Sequence, residues 1–114
     1  MITIEQFSDT IIVSLNKLKR IDFLVFEKLK NHLLQIIECT SNDVFFDLSG
    51  VIFIDSNSFA GLKSINDIAL SEGIKLGFIN VSEELTELFN LVDEKNAFNI
   101  CSEEEMEHLR VMQV

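Results

Sequence analysis

Acidic, hydroxyl and amide side chains come together in one stretch of this chain, residues 43–62, whose sequence is DVFFDLSGVIFIDSNSFAGL. Asp47 and Asp55 each follow an apolar run, and Ser-Asn-Ser at positions 56–58 comes directly after Asp55. Two carboxylates at the carboxyl ends of parallel strands can hold Mg²⁺ and accept a phosphoryl group. A hydroxyl at the start of a helix lies beside unpaired amides, where an added phosphate is favoured. The stretch therefore has the residue types for a phosphoaspartate or for a phosphoserine.

A strand and a helix must position these side chains. Residues 44–48 are rich in aromatic and β-branched side chains, which predicts a strand, and a Ser-Gly pair ends it. A short apolar connection then leads to Asp55. Behind the Ser-Asn-Ser segment, apolar residues recur at helical spacing: Phe59, Leu62, Ile65 and Ala69. We expect this helix to begin within residues 56–58. The alternative to a functional site is that Ser-Asn-Ser only caps a core helix, as these residue types commonly do.

The rest of the chain alternates between strand and helix patterns. Two short β-type segments open it, and Asp22 is the candidate N-cap of a long amphipathic helix that ends near Cys39. Further elements are predicted as a strand at 74–79 after Gly73, a helix after Ser82, a short strand at 98–100 and a last helix capped by Ser102. The order ββαβαβαβα predicts a single α/β domain over residues 1–114. Its mixed sheet should have about five strands packed by about four helices, with the crossover-linked strands parallel.

Charge and composition narrow the classes of partner. The chain carries a formal net charge of −10, which opposes the phosphate backbone of nucleic acids and anionic lipid head groups, so we expect neither as a partner. Positive charges crowd residues 17–30 and negative charges crowd the last third, an asymmetry that could steer a partner with a basic face. With ten Phe and no Trp or Tyr, we expect the aromatic rings to be mostly buried.

The cysteines and the hydropathy pattern indicate a cellular compartment. Cys39 and Cys101 lie far apart without neighbouring metal ligands, as is typical of reduced thiols. The chain has no apolar run of about eighteen residues and no signal-peptide pattern at its start. We therefore expect a cytoplasmic protein without direct membrane insertion.

Familiar catalytic motifs do not occur in the sequence, neither glycine-rich phosphate loops nor HExxH, CxxC or GxSxG. His32 and His108 stand alone on predicted helix faces, so no nucleophile, base and orienting group come together. Lys63 and Lys75 are interpreted as solvated side chains and not as phosphate ligands. We predict no enzymatic activity, no cofactor and no metal site.

A receiver-like phosphoaspartyl protein is the rival class. It requires an early acidic pair beside the phosphate-accepting aspartate, but the first two strands end in Gln6 and Leu15. We therefore expect Asp47 to face the turn or sheet edge, and Asp55 to order the helix start by accepting backbone N–H groups.

Residues 44–62 resemble the core signature of STAS domains, the family of bacterial anti-sigma-factor antagonists: an apolar strand, Asp-Leu-Ser, a short apolar run, then Asp-Ser-Ser-Gly-Leu-Gly and a helix. The later KLGFINVSEELTELFNLVDEKNAFNICSEEE also resembles the family, and the likeness covers residues 10–109. The resemblance implies a STAS-like fold and a non-enzymatic switch protein. It implies that the unphosphorylated form binds an anti-sigma factor that is a serine kinase of the histidine-kinase-like ATPase fold. Phosphorylation would end that binding, and a phosphatase would be a further partner.

The resemblance also assigns residues at the start of the helix. It places the usual phospho-acceptor on Asn57, which cannot be phosphorylated, so Ser58 and Ser56 become the phosphorylation candidates. It places the two signature glycines on Ser58 and Ala60, which makes this loop bulkier. The implied partner-binding residues are Asp55, Ser56, Asn57, Ser58, Phe59 and Lys63. If no phosphorylation occurs, the resemblance implies an unswitched STAS adaptor, for example a cytoplasmic subunit of a lipid-transport ATPase.

Overall fold

The computed structural model describes residues 2–7, 9–15, 17–92, 98–102, 104, 105 and 107. Its strands are β1 (Ile2–Gln6), β2 (Thr10–Leu15), β3 (Arg20–Ile21), β4 (Asp43–Asp47), β5 (Phe53–Ile54), β6 (Leu76–Ile79) and β7 (Asn99–Ile100). Its helices are α1 (Phe23–Cys39), α2 (Ser56–Ser71) and α3 (Glu83–Val92). The predicted α/β class and mixed sheet of about five strands are confirmed, whereas the described residues form three complete helices where about four were predicted, and β3 and β5 are two short additions.

Five strands form one mixed sheet in the order β1-β2-β4-β6-β7. β1 and β2 form an antiparallel hairpin, and the strands joined by helices run parallel, as the crossovers predict. The register places Val13 beside Phe46 and Phe46 beside Phe78. These side chains are fully buried, so the middle of the sheet presents a continuous apolar row to the helices.

β3 and β5 form a separate parallel ladder of two residues each, in which Ile21 pairs with Ile54. The ladder continues where the Asp55 amide donates to the Ile21 carbonyl at 3.0 Å. The sequence predicts only connections here, because two residues are too few to show the period-two alternation of a strand. The ladder holds the start of α1 and the start of α2 side by side.

Apolar faces of all three helices pack on one face of the five-stranded sheet and make a single core with it. The buried residues of α1 are Phe26, Leu29, Leu33 and Ile37. Gly61 of α2 faces the Phe26 ring so closely that a Cβ there would overlap it, which lets α1 and α2 pack tightly. A smaller apolar cluster on the opposite face of the sheet contains Ile12, Phe45, Ile79 and Cys101.

Most phenylalanine rings are buried, as expected, and four of them pack together beneath the start of α2. Phe59 meets Phe89 edge-to-face at 4.9 Å between ring centroids, and Phe98 lies 5.7 Å from Phe78 and 5.2 Å from Phe89. Edge-to-face pairs of this kind each add about 0.5–1.5 kcal/mol beyond their buried area. Phe23, the first residue of α1, is an exception and is 48% exposed.

The predicted N-cap of α1 and the predicted end of α2 at Gly73 are confirmed, whereas the Ser-Asn-Ser segment forms the first turn of α2 and does not cap it. Asp22 caps α1 by accepting from the Val25 amide at 2.9 Å. α2 ends in a Schellman motif around Gly73, whose φ is +73°: the Gly73 amide donates to Leu70 and the Ile74 amide donates to Ala69.

The last predicted helix falls only partly within the described residues. Ser102 and Glu105 form a capping box, with the Glu105 amide donating to Ser102 Oγ at 3.2 Å. Glu104, Glu105 and Glu107 are helical, and the rest of that predicted helix lies outside the described residues. None of the helices in the described ranges has the length and apolar character required to cross a membrane.

Candidate functional site

Asp55 stands where the first turns of α1 and α2 meet. Its Oδ1 accepts from the Ser58 amide at 2.8 Å, which makes Asp55 the N-cap of α2. Its Oδ2 accepts from the Phe23 amide at 2.9 Å, the first amide of α1. The expectation that Asp55 accepts backbone N–H groups is thus met twice over. One carboxylate therefore stabilises two helix N-termini, where the helix dipoles favour an anion.

The charged form of Asp55 is favoured by its surroundings. The Ser58 side-chain hydroxyl and the amides of Ser58 and Phe23 lower the pKa of Asp55 from its ordinary value of 3.8, and partial burial acts in the opposite direction. The site thus contains a carboxylate that stays ionised at neutral pH and has both oxygens engaged with backbone amides.

The three residues after Asp55 differ sharply in exposure. Ser56 and Asn57 are exposed, whereas Ser58 is 0% exposed. Although the Ser58 hydroxyl influences the Asp55 carboxylate, Ser58 Oγ lacks a partner in hydrogen-bond geometry among the residues that the structure describes. A buried hydroxyl in that state costs roughly 1–3 kcal/mol. Of the two serine candidates, only Ser56 is within reach of an enzyme while the first turn of α2 is intact.

A groove of about 410 Å³ runs beside the exposed face of α2 toward the end of α3. Its lining residues are Ser56, Phe59, Ala60, Lys63, Leu91, Val92 and Phe98. Phe59 is 4% exposed and belongs to the aromatic cluster below, so it supports the groove more than it presents a surface. Lys63 is exposed and forms no ion pair or hydrogen bond with any described residue, which agrees with its interpretation as a solvated side chain.

The other side of the α2 start carries residues that the sequence did not single out. Phe23, Leu24 and Ile52 are exposed by 48%, 72% and 49% of their surfaces. The Arg20 guanidinium lies 4.4 Å above the centre of the Phe53 ring, a cation–π contact. A signal for part of this surface existed in the sequence, because Leu24 lies outside the apolar stripe that buries α1.

Asp47 faces the turn after β4, as expected. Its Oδ1 accepts from the Ser49 amide at 2.9 Å, the Ser49 hydroxyl at 2.6 Å and Asn80 Nδ2 at 3.1 Å. Asn80 adopts a left-handed φ of +55°, so this network fixes the turns after β4 and β6. Asp47 and Asp55 are thus committed to different backbone segments. In the part of the chain that the structure describes, His, Cys, Asp and Glu form no group of three or more that could hold a metal ion.

Comparison with known proteins identifies relatives at the level of family and fold. A family model described as "STAS domain" matches residues 1–106. An anti-sigma-factor antagonist (STAS) domain protein from Planctomyces limnophilus superposes with a TM-score of 0.81 at 18% identity, covering 97% of this chain and 96% of that chain. The phosphorylated form of the Bacillus cell fate determinant SpoIIAA superposes with a TM-score of 0.67 at 15% identity, covering 97% and 99%.

A serine-to-glutamate variant of RsbS from Moorella thermoacetica gives a TM-score of 0.73 at 13% identity, with 98% and 97% covered. At these identities the structural likeness concerns the fold. No curated protein sequence matches the chain.

Proposed function

Because this chain belongs to the STAS domain family, we propose that it is a regulatory protein–protein interaction module of the anti-sigma-factor antagonist type. It binds an anti-sigma kinase of the ATPase fold in the cytoplasm, through the start of α2. The observation that carries this proposal is that Ser56 and Asn57 are exposed at the start of α2, directly after Asp55, whose carboxylate caps both α1 and α2. These two residues are presented by two helix starts that one carboxylate fixes together, which is a preorganised docking surface.

Regulation by binding fits the chemistry of the site better than catalysis does. Both oxygens of Asp55 are occupied by backbone amides, and Asp47 Oδ1 is occupied by Ser49 and Asn80. A general base or a phosphoryl acceptor needs an available oxygen in reach of a substrate. We therefore assign Asp55 to the architecture of the docking surface and Asp47 to the turns after β4 and β6, and we propose that the protein is not an enzyme.

Phosphorylation at the docking surface would act through charge. A phosphate on Ser56 would add close to two negative charges next to the partner and would disrupt docking by repulsion and desolvation. Ser56 is the exposed candidate, whereas phosphorylation of Ser58 would require the first turn of α2 to open. A phosphatase would complete such a switch by removing the phosphate.

An unswitched adaptor is the second candidate function. It is favoured by the combination of Asn57 at the position where the family places its phospho-acceptor and the complete burial of Ser58. In that case the protein stays bound to its partner regardless of kinase activity, as in an adaptor subunit of a larger complex such as a lipid-transport ATPase.

An in vitro reconstitution with purified proteins tests the proposal. Each ATPase-fold serine kinase of the source cell is purified and incubated with Mg²⁺-ATP and wild type, Asn57→Ser, Asn57→Ala or Ser56→Ala protein. Binding is measured by pull-down and phosphate is located by mass spectrometry. We expect one kinase to bind wild type, and we expect the same kinase to phosphorylate Asn57→Ser at the new hydroxyl and to release it. Asn57→Ala is the matched control, which lacks the new hydroxyl and should bind and respond to the kinase as wild type does.

The outcomes distinguish the candidates. Phosphate on Ser56 of wild type, lost in Ser56→Ala, identifies the switched version. Wild type that binds the kinase without phosphate identifies the unswitched adaptor. If no kinase binds wild type or modifies Asn57→Ser, the anti-sigma-antagonist function is refuted.

A further inference from the structure

β1 forms one edge of the five-stranded sheet, and β2 is the only strand of the described residues that pairs with it. Thr3, Ile4, Glu5 and Gln6 are all exposed. In an antiparallel pair, the residues of an edge strand alternately direct their amide and carbonyl groups toward the neighbouring strand and away from it. The outer side of β1 therefore carries backbone donors and acceptors that a further strand can bind.

β1 lacks three features that commonly protect an edge strand from pairing, namely proline, lysine and a β-bulge. Its sequence is ITIEQ, and Glu5 is its only charged residue. The register with β2 runs without interruption from Ile2 opposite Leu15 to Gln6 opposite Ile11, so no bulge bends the strand. The strand at the other edge of the sheet, β7, is two residues long. Of the two edges, β1 is thus the one that can accept a strand along several residues.

Ile4 is the outermost member of the apolar row that crosses the sheet. It pairs with Val13, and the row continues through Phe46 to Phe78. The three inner members are at most 1% exposed, whereas Ile4 is 50% exposed. Ile4 lies on the same face as Val13, the face on which the helices pack, so its exposed surface means that the helices leave this edge uncovered. A strand added to β1 extends the row and buries Ile4.

The residues of β1 can pair with those of a second copy in antiparallel register. With a two-fold axis at Ile4, the two Ile4 residues lie opposite each other. The remaining opposed pairs are Thr3 with Glu5 and Ile2 with Gln6, so no two like charges face each other directly. The two Glu5 residues are diagonal neighbours about 7–8 Å apart, a separation close to the Debye length of about 8 Å at physiological salt. All five residues of β1 thus find a compatible partner, and the apolar rows of the two copies meet at Ile4.

We propose that two copies of this chain join through their β1 strands about a two-fold axis at Ile4, so that their two five-stranded sheets become one continuous sheet. The new pairing forms roughly four to six backbone hydrogen bonds and buries both Ile4 side chains. The assembly closes at two copies, because each copy uses its one long edge. None of the residues assigned to the docking surface belongs to β1, so the dimer goes beyond the proposed function and does not depend on it. Such a dimer presents two docking surfaces at once.

The size of the new contact and the net charge both limit the strength of this dimer. A strand of five residues buries less surface than the about 1,200 Å² at which stable interfaces begin. Each copy carries a formal net charge of −10, so the copies repel each other at low ionic strength, and added salt screens that repulsion. We therefore expect a weak, reversible dimer that forms more readily at physiological salt than at low salt.

Substitution at the axis tests whether β1 is the interface. Sedimentation equilibrium is measured for wild type, Ile4→Lys and Ile4→Val. Ile4→Lys places two like charges on the axis and removes the apolar contact, so the dimer dissociation constant should rise by about tenfold or more. Ile4→Val keeps a β-branched apolar side chain and is the matched control, which should dimerise nearly as wild type does. Urea unfolding of each variant in dilute solution checks that the single copy stays folded, as the half-exposed position of Ile4 leads us to expect.

Disulfide crosslinking in a Cys39→Ser background tests the register. Directly opposed residues of an antiparallel pair have Cα atoms about 4.5–5.5 Å apart, which suits a disulfide, so Ile4→Cys should form a linked dimer on mild oxidation. Thr3→Cys and Glu5→Cys should not crosslink alone, because each meets its own copy only diagonally, but their equimolar mixture should.

Three results would overturn the proposal. The first is wild type that remains monomeric at roughly millimolar concentration. The second is Glu5→Cys alone crosslinking as readily as Ile4→Cys. The third is Ile4→Cys that crosslinks to other proteins of a cell lysate but not to itself, which would assign the edge to a foreign strand. If dimers fail while kinase binding persists, only the self-association is refuted.

Discussion

Removing the shared cap at Asp55 should cost more stability than removing an ordinary helix cap. Asp55→Ala leaves two amides without their acceptor, those of Ser58 and Phe23, at the starts of two helices. A lost N-cap interaction costs about 0.5–2 kcal/mol, and the lost charge at each dipole adds a few tenths more. The Phe23 amide lies in an exposed setting and can regain water, so the lower half of the range applies to it, whereas the amide of the buried Ser58 takes the upper half. We expect Asp55→Ala to lower the free energy of unfolding by about 2–3 kcal/mol.

Asp22 supplies the matched control for this measurement. Its carboxylate caps α1 through the Val25 amide alone, so Asp22→Ala should cost about 1 kcal/mol. Both variants are followed by urea unfolding with circular dichroism, and the unfolding midpoint and slope are fitted together. Equal losses for Asp55→Ala and Asp22→Ala would refute the conclusion that one carboxylate serves both helices.

Further expectations concern pH, the buried hydroxyl and the thiols. The folded-state pKa of Asp55 is lowered from 3.8, so its stabilising contribution is present above that value and is lost as pH falls through the folded pKa. Asp55→Asn should therefore reduce the loss of unfolding free energy at acidic pH. An unchanged loss at acidic pH would contradict this. Ser58→Ala should leave stability unchanged or raise it by up to about 1 kcal/mol in urea unfolding, and a clear loss would show that the hydroxyl has a partner. Burial raises the pKa of Cys101 to about 11, so a thiol reagent should modify exposed Cys39 first and Cys101 only on unfolding; equal rates in the native protein would contradict this.

The succession of strands and helices could be predicted because long apolar patterns set it. The stripe of α1, the run at β4 and the Gly73 helix end each follow from local rules that involve neighbours within one or two turns. The acidic N-cap at Asp22 was identified for the same reason. Apolar stripes and helix caps can be recognised in a single sequence because the residues that form each of them are close neighbours along the chain.

The features of the candidate site that could not be predicted from the sequence depend on contacts between segments that are distant along the chain. The bond from the Phe23 amide to Asp55 joins residues 32 positions apart, and the β3–β5 ladder has only two residues on each side. No local pattern encodes either contact. The burial of Ser58 was missed because capping residue types look alike in sequence, while its exposure depends on how α2 sits above the aromatic cluster.

The link between Phe23 and Asp55 gives this protein a built-in spectroscopic reporter. The Phe23 amide proton points at the carboxylate that begins α2, and hydrogen bonds to ionised carboxylates are short and strongly polarised. Its NMR resonance should therefore follow the ionisation of Asp55 and the occupancy of the neighbouring surface, although Phe23 belongs to another helix. One backbone signal in α1 can thus record what happens at the start of α2, without any label attached to the docking surface itself.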